Sequence, residues 1–346
     1  MKPGIMTVLL RRKILRSNAV LSGTGAAIES RTCSCSVPVW YRAASSLFSA
    51  VVLAALFATV GCEGTASNQQ LAVSEMRHWM LPSEGARVPA PRAVHAAKNG
   101  ELYVLDNAGR VLVFDPQGKL RRQWWMPEYS VGKPEKICLL RDGRLAVADT
   151  HYHRVVFFDT AGKLVGMLGS FGRGPSQFVY PVALAQDDQD NLYVCEYGDN
   201  DRVQKFSPSG EYLMQFGSFG TQPGQFMRPS GIVWHDHKIY VVDAFNNRIQ
   251  YFADSGEYLG VFGNSAAAEL NYPYDLTRSP RGDFYVVEYG AGRISKFDQH
   301  GKLVGRTGGT GHGAKQLDTP WGISVDEHSR IWVADTGNRR IVEWQL

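Results

Sequence analysis

The chain has 346 residues, 44% of them apolar and 20% charged, a globular rather than a disordered composition. Its formal charge of +4 is concentrated at the start: residues 1–61 hold seven of the 37 Lys and Arg and one of the 33 Asp and Glu, which leaves 30 basic and 32 acidic side chains, a net of −2. That balance excludes a dedicated nucleic-acid binder, which needs basic surface against phosphates, and five Cys exclude a disulfide scaffold.

Residues 47–60 form an apolar run of 14, short of the ~20 needed to span a bilayer. The run follows Arg42 and ends at Gly61-Cys62, as a secretory signal does. The segment VGCEG resembles the cleavage site of bacterial lipoproteins, where a small residue precedes the Cys that takes the lipid. Thr59 stands where that family usually has Leu. The 46 residues before the run are long for a signal, and a true start nearer Val37 or Val39 would account for them. The resemblance implies a leader over 1–61, lipidation of Cys62 and a polar tether over 62–75. The protein is then expected outside the cytoplasm, as a bacterial membrane lipoprotein facing the periplasm or the cell exterior. Cys33 and Cys35 fall in the removed part. Cys138 and Cys195 sit within apolar strands and are expected as buried free thiols.

The remainder repeats. An apolar run ending in an acid, then a turn, then Arg and a second apolar run, occurs six times. The acids are Asp106, Asp149, Glu196, Asp243, Glu288 and Asp335, at steps of 43, 47, 47, 45 and 47 residues. Their partners are Arg110, Arg154, Arg202, Arg248, Arg293 and Arg340. Each pair spans a hairpin turn, which sets opposite charges on facing strands. Recurrence in every unit reads as a hairpin staple rather than a catalytic group. A further strand follows each pair, then a link ending in Pro, then another apolar strand. Four short strands every 40–50 residues, with no helical period, predict an all-β, six-bladed β-propeller of four-stranded blades. The last unit stops in its third strand at Leu346, and residues 76–82 (MRHWMLP) read like the fourth strand of the first unit. An N-terminal strand therefore closes the ring over 76–346 and removes its open edge.

The runs FGTQPGQFMRPSGIVW, IYVVDAFNNRIQYF and WVADTGNRRIVEW resemble NHL repeats, in register over residues 85–346. The resemblance implies the six-bladed propeller but says little about activity, because one fold hosts many. Peptidyl-hydroxyglycine lyase also resembles this chain in fold. In that family three His, each after the Pro that opens an innermost strand, hold zinc in the channel. Here those positions are Arg92, Glu135, Val182, Ser230, Tyr274 and Trp321, with no His. A zinc site needs three or four converging ligands, so neither a metal, another cofactor nor a catalytic residue is expected. The pairs His151/His153 and His235/His237 read as solvated turn residues, and DDQDN (187–191) as a turn rather than a calcium loop.

The candidate ligand-binding residues are Glu135, Tyr197, Arg228, Tyr274, Asp275, Tyr289 and Trp321, which should gather at one mouth of the channel beside Arg92. Aromatic and Arg side chains are common anchors. The expectation is a monomeric binding or scaffold module for an unknown protein, peptide or small ligand, attached to a membrane by its lipid and free of nucleic acid. The alternative is a metal-dependent lyase or hydrolase of the same fold.

Overall fold

In the computed structural model residues 69–263 and 269–346 are described; the leader and Cys62 lie outside them. Six four-stranded antiparallel sheets form the blades of a propeller. Blade one comprises Pro91–Ala96, Leu102–Asp106, Arg110–Phe114 and Leu120–Trp125, from the innermost strand outward. The innermost strands of blades two to six are Lys136–Leu139, Tyr180–Gln186, Pro229–His235, Pro273–Arg278 and Gly322–Val325. Second strands such as Leu145–Asp149 are buried at every position, because each is covered on both faces by neighbouring blades. Outer strands alternate, as in Leu120–Trp125, where every second residue faces solvent.

Six separate apolar cores lie one at each blade interface. Val111 and Val113 meet Ile137 and Val147 between blades one and two. At the seam Val94 and Leu102 of blade one pack on Trp332 and Ile341 of blade six. Six interfaces for six blades mean that the ring is closed.

The seam is held by the N-terminal strand. Glu75–Met80 pairs antiparallel with Arg340–Gln345 as the fourth strand of blade six. Trp79 then sets its ring edge-on to Trp332 at 5.7 Å and to Phe114 at 6.1 Å, fastening blade six to blade one. Just ahead of this strand, the Leu71 N–H donates to the Arg306 carbonyl at 2.7 Å, and the Arg306 N–H donates to the Gln69 carbonyl at 2.9 Å. Residues 69–71 therefore lie against the outer strand of blade five. Gly305 permits this approach, since a Cβ there would stand 2.5 Å from the Gln69 oxygen.

All six acid–Arg staples form, with Nε to carboxylate distances of 2.6–2.9 Å. Every acid is fully buried. Each staple also reaches beyond its own hairpin. In blade four Asp243 accepts from the Met227 N–H at 2.7 Å, while Arg248 donates to the carbonyls of Gln222 and Gln225. The staple thus fixes the incoming link, and through it the Pro that starts the innermost strand. Blade two departs from this pattern. One carboxylate oxygen of Asp149 has no hydrogen-bond partner among the described residues. Burial pushes the Asp149 carboxyl up to about 6, with Arg154 only partly offsetting it.

Candidate functional site

The Pro links gather at one end of the channel, and each innermost strand runs from there toward the other end. At the link end Arg92, Tyr274 and Trp321, each just after its Pro, gather with Arg228 and Tyr197 around Glu135, which is 6% exposed. The Tyr274 hydroxyl donates to Glu135 Oε2 at 2.8 Å and accepts from Arg228 Nη2 at 2.8 Å. Arg92 and Arg228 face the same carboxylate at 3.6 and 3.5 Å. Each guanidinium also covers an aromatic face: Arg92 lies 3.6 Å from the Trp321 centroid and Arg228 4.2 Å from that of Tyr197. Tyr274 stacks on Trp321 at 4.9 Å. All six blades contribute to this one cluster: Arg92 from blade one, Glu135 from two, Tyr197 from three, Arg228 from four, Tyr274 from five and Trp321 from six.

Burial, with the Glu135 charge next, raises the Tyr274 phenol well above the ordinary tyrosine range, so it stays protonated and donates. Burial also lowers the Arg92 guanidinium, opposed by Glu135. The Nε of both arginines has no hydrogen-bond partner among the described residues. Strain accompanies the cluster. Arg228 (φ +61°), Tyr272 (φ +48°) and Thr319 (φ +43°) occupy the left-handed region immediately before a Pro. Such positions cost roughly 1–3 kcal/mol each and persist only where the surroundings hold them. Two are held by side chains of the preceding blade: Asp201 accepts the Arg228 N–H at 2.6 Å, and Asn247 accepts the Tyr272 N–H at 2.7 Å.

The structure brings Glu135, Tyr197, Arg228, Tyr274 and Trp321 together. Tyr289 joins through Tyr274 at 6.0 Å and Tyr272 at 4.9 Å. Asp275 does not sit at the mouth. It lies one residue deeper, where both its oxygens accept from Lys136 Nζ at 2.7 and 2.5 Å. It also accepts the Ile323 and Leu276 N–H groups. Burial raises its carboxyl, with Lys136 the main offset. Lys136 and Asp275 belong to blades two and five, opposite members of the ring, so the pair crosses the channel. The other blades place Ala93, Ala183, Gly231 and Gly322 at this level. A Cβ on Gly231 would stand 3.0 Å from the Asp275 Cα, and one on Gly322 2.9 Å from the Ala93 Cα. The channel is therefore pinched shut here.

Reasoning from sequence missed Lys136, Tyr272 and His95. The signal for Lys136 was present: it and Asp275 both stand two residues after their Pro, three blades apart. His151 and His153 lie in and just after the 3₁₀ turn Thr150–Tyr152, as the turn reading expects, but both are half-buried rather than solvated. His153 lies against Phe171 and Tyr180 and contacts the Val179 carbonyl through Nδ1. His237 is exposed and paired with Asp254 at 2.9 Å. In DDQDN, Asp187 accepts from the backbone of Gln189 and Asn191 and from Lys205. Among the described residues no group of three or more His, Cys, Asp or Glu could hold a metal ion. Cys138 and Cys195 are free thiols, but only Cys195 is buried in a core; Cys138 is partly open, on the channel.

These features define an NHL-type six-bladed β-propeller. No protein-family model matches the chain. It is 32% identical over 76 residues to human NHL repeat-containing protein 3, a match covering 21% of this chain and 22% of that protein. The mouse protein of the same name matches at 30% over the same length. Among solved structures, virginiamycin B lyase from Staphylococcus aureus superposes with a TM-score of 0.56 at 16% identity, over 79% of this chain and 99% of that one. A gluconolactonase from Xanthomonas campestris gives 0.59 at 14% identity, over 79% and 91%. At these identities the likeness shows the fold.

Proposed function

We propose that the chain is an exported, lipid-anchored, monomeric propeller that binds a protein, peptide or small extracellular ligand on the link-end mouth. The observation that carries this reading is the pair of arginines laid on aromatic faces around Glu135. Rings and guanidinium planes of this kind present rigid contact area with little entropy left to lose. Tyr197, Arg228, Tyr289 and Trp321 keep part of their surface open, whereas Glu135 and Tyr274 are buried beneath them. The buried pair holds the arginines, and the open residues meet the ligand.

A lyase or hydrolase reaction at this mouth is the second reading. It is favoured by the Tyr274 hydroxyl set between a carboxylate and a guanidinium. The raised Tyr274 pKa weighs against a base role for it, which is why binding comes first. A photo-crosslinking residue in place of Tyr289 tests the binding reading in intact cells of the source organism. A discrete crosslinked partner that disappears with Trp321→Ala, and is absent when the label replaces Arg121 on the outer edge of blade one, is expected. Equal crosslinking from both positions would sink it. Loss of membrane attachment in Cys62→Ser is expected in the same cells, and retention would remove the lipid anchor.

A further inference from the structure

Below the pinch the channel widens again into a well of about 270 Å³, lined by the innermost strands of all six blades. It opens at the end opposite the Pro links, where the turns between first and second strands gather. The volume equals about nine waters at the bulk share of ~30 Å³ each, enough for a small organic molecule. The polar side chains along it include His95, Lys136, Cys138, Gln186, Thr277 and Arg278, and none of the lining residues is acidic.

We propose that this well is a second binding site, for a small organic anion carrying one or two carboxylates, with Lys136 at its floor and Arg278 at its rim as the counter-charges. Lys136 gives two of its three ammonium protons to the Asp275 carboxylate at the pinch, which leaves one to donate into the well. Arg278 Nε is buried and without a hydrogen-bond partner among the described residues. Arg278 is three residues further along its strand than Lys136 along its own, about 10 Å at ~3.3 Å per residue. That separation suits a molecule with an acid at one end or at both. Asp236 and Asp283 act on Arg278 from outside the well and leave the lining itself basic. Burial, with Lys136 adding to it, lowers the His95 imidazole to about 4, so at neutral pH it serves as a neutral hydrogen-bonding group. The site lies on the other side of the pinch from the mouth and stands whether or not the mouth binds anything.

Full-length protein titrated calorimetrically with succinate and with 2-oxoglutarate, and with glucose as the uncharged control, tests the site. At least one anion is expected to bind with a submillimolar Kd and glucose is not. Arg278→Met should weaken that binding about tenfold, the order lost with one charge-assisted hydrogen bond. Arg121→Met, which removes an exposed cation on blade one, should leave it unchanged. Because Lys136→Met strands a buried carboxylate, the floor is probed by location instead. The bound anion should slow methylthiolation of Cys138, read by peptide mapping, which surface binding elsewhere does not do. Binding of neither anion at millimolar concentration overturns the proposal. So does binding of glucose as tight as that of the anions, an unchanged Kd in Arg278→Met, or an unprotected Cys138.

Discussion

The two ends of the channel are built on the same six strands and solve opposite problems. At the link end, large side chains meet over the axis. Glu135, Tyr274, Arg92, Arg228 and Trp321 pair and stack with one another and close the passage. At the far end, the residues four places after each Pro are His95, Cys138, Ala185, Val233, Thr277 and Ser324, mostly small, and the space stays open. Between them a single ion pair from opposite blades marks the boundary. The difference teaches that a propeller of fixed strand geometry sets its channel by side-chain volume at each level, not by the blades themselves.

Breaking the boundary should have the largest effect. Asp275→Ala leaves the Lys136 ammonium buried without a counter-charge, which costs roughly 3–5 kcal/mol. Urea unfolding should show it as a large drop in midpoint. The double change Lys136→Met with Asp275→Leu should recover most of the loss, because an apolar pair replaces two charges. A double variant no more stable than the single would mean that the cross-channel ion pair has no such role.

The two ends should also titrate with opposite sign. Asp149, on the link side, has a folded pKa of about 6 against an ordinary 3.8. Its contribution is present below about 4 and is lost as pH rises through 6. His95, in the well, has a folded pKa of about 4 against 6.5. Its contribution is present above about 6.5 and is lost as pH falls through 4. Each amounts to at most about 3 kcal/mol, and over the shared window they nearly cancel. Asp149→Asn should therefore make stability rise more steeply from pH 4 to 6.5, and His95→Gln should make it fall. Identical pH profiles for both variants and the parent would contradict the assignment.

Trp321→Ala removes the platform under Arg92 and the stack on Tyr274. The expected loss is about 1–3 kcal/mol, since aromatic stacking and a cation over a ring each contribute on the order of 1 kcal/mol. Smallest of all, Arg278→Met should change stability by about 0.5 kcal/mol or less, because it removes no buried partner. A large loss there would mean that Arg278 holds the fold rather than a ligand.

Much of this architecture was legible in the chain itself. Asp243 and Arg248 are five residues apart, so a hairpin brings them together wherever the blade sits. The likeness of residues 76–82 to the outer strand of blade one announced how the ring closes, because an outer strand carries the same alternation in any blade. The aromatic and arginine residues beside the Pro links could likewise be assigned to one mouth from strand direction alone.

Which of them would meet could not. Tyr274 and Glu135 are 139 residues apart in sequence, and so are Asp275 and Lys136. Their contact depends on how many blades close the ring, and on Gly231 and Gly322 letting the strands approach. Local pairing is written into short separations, where one turn sets the distance. Contact across the axis is a property of the closed circle, and only the tertiary structure decided that blade two faces blade five.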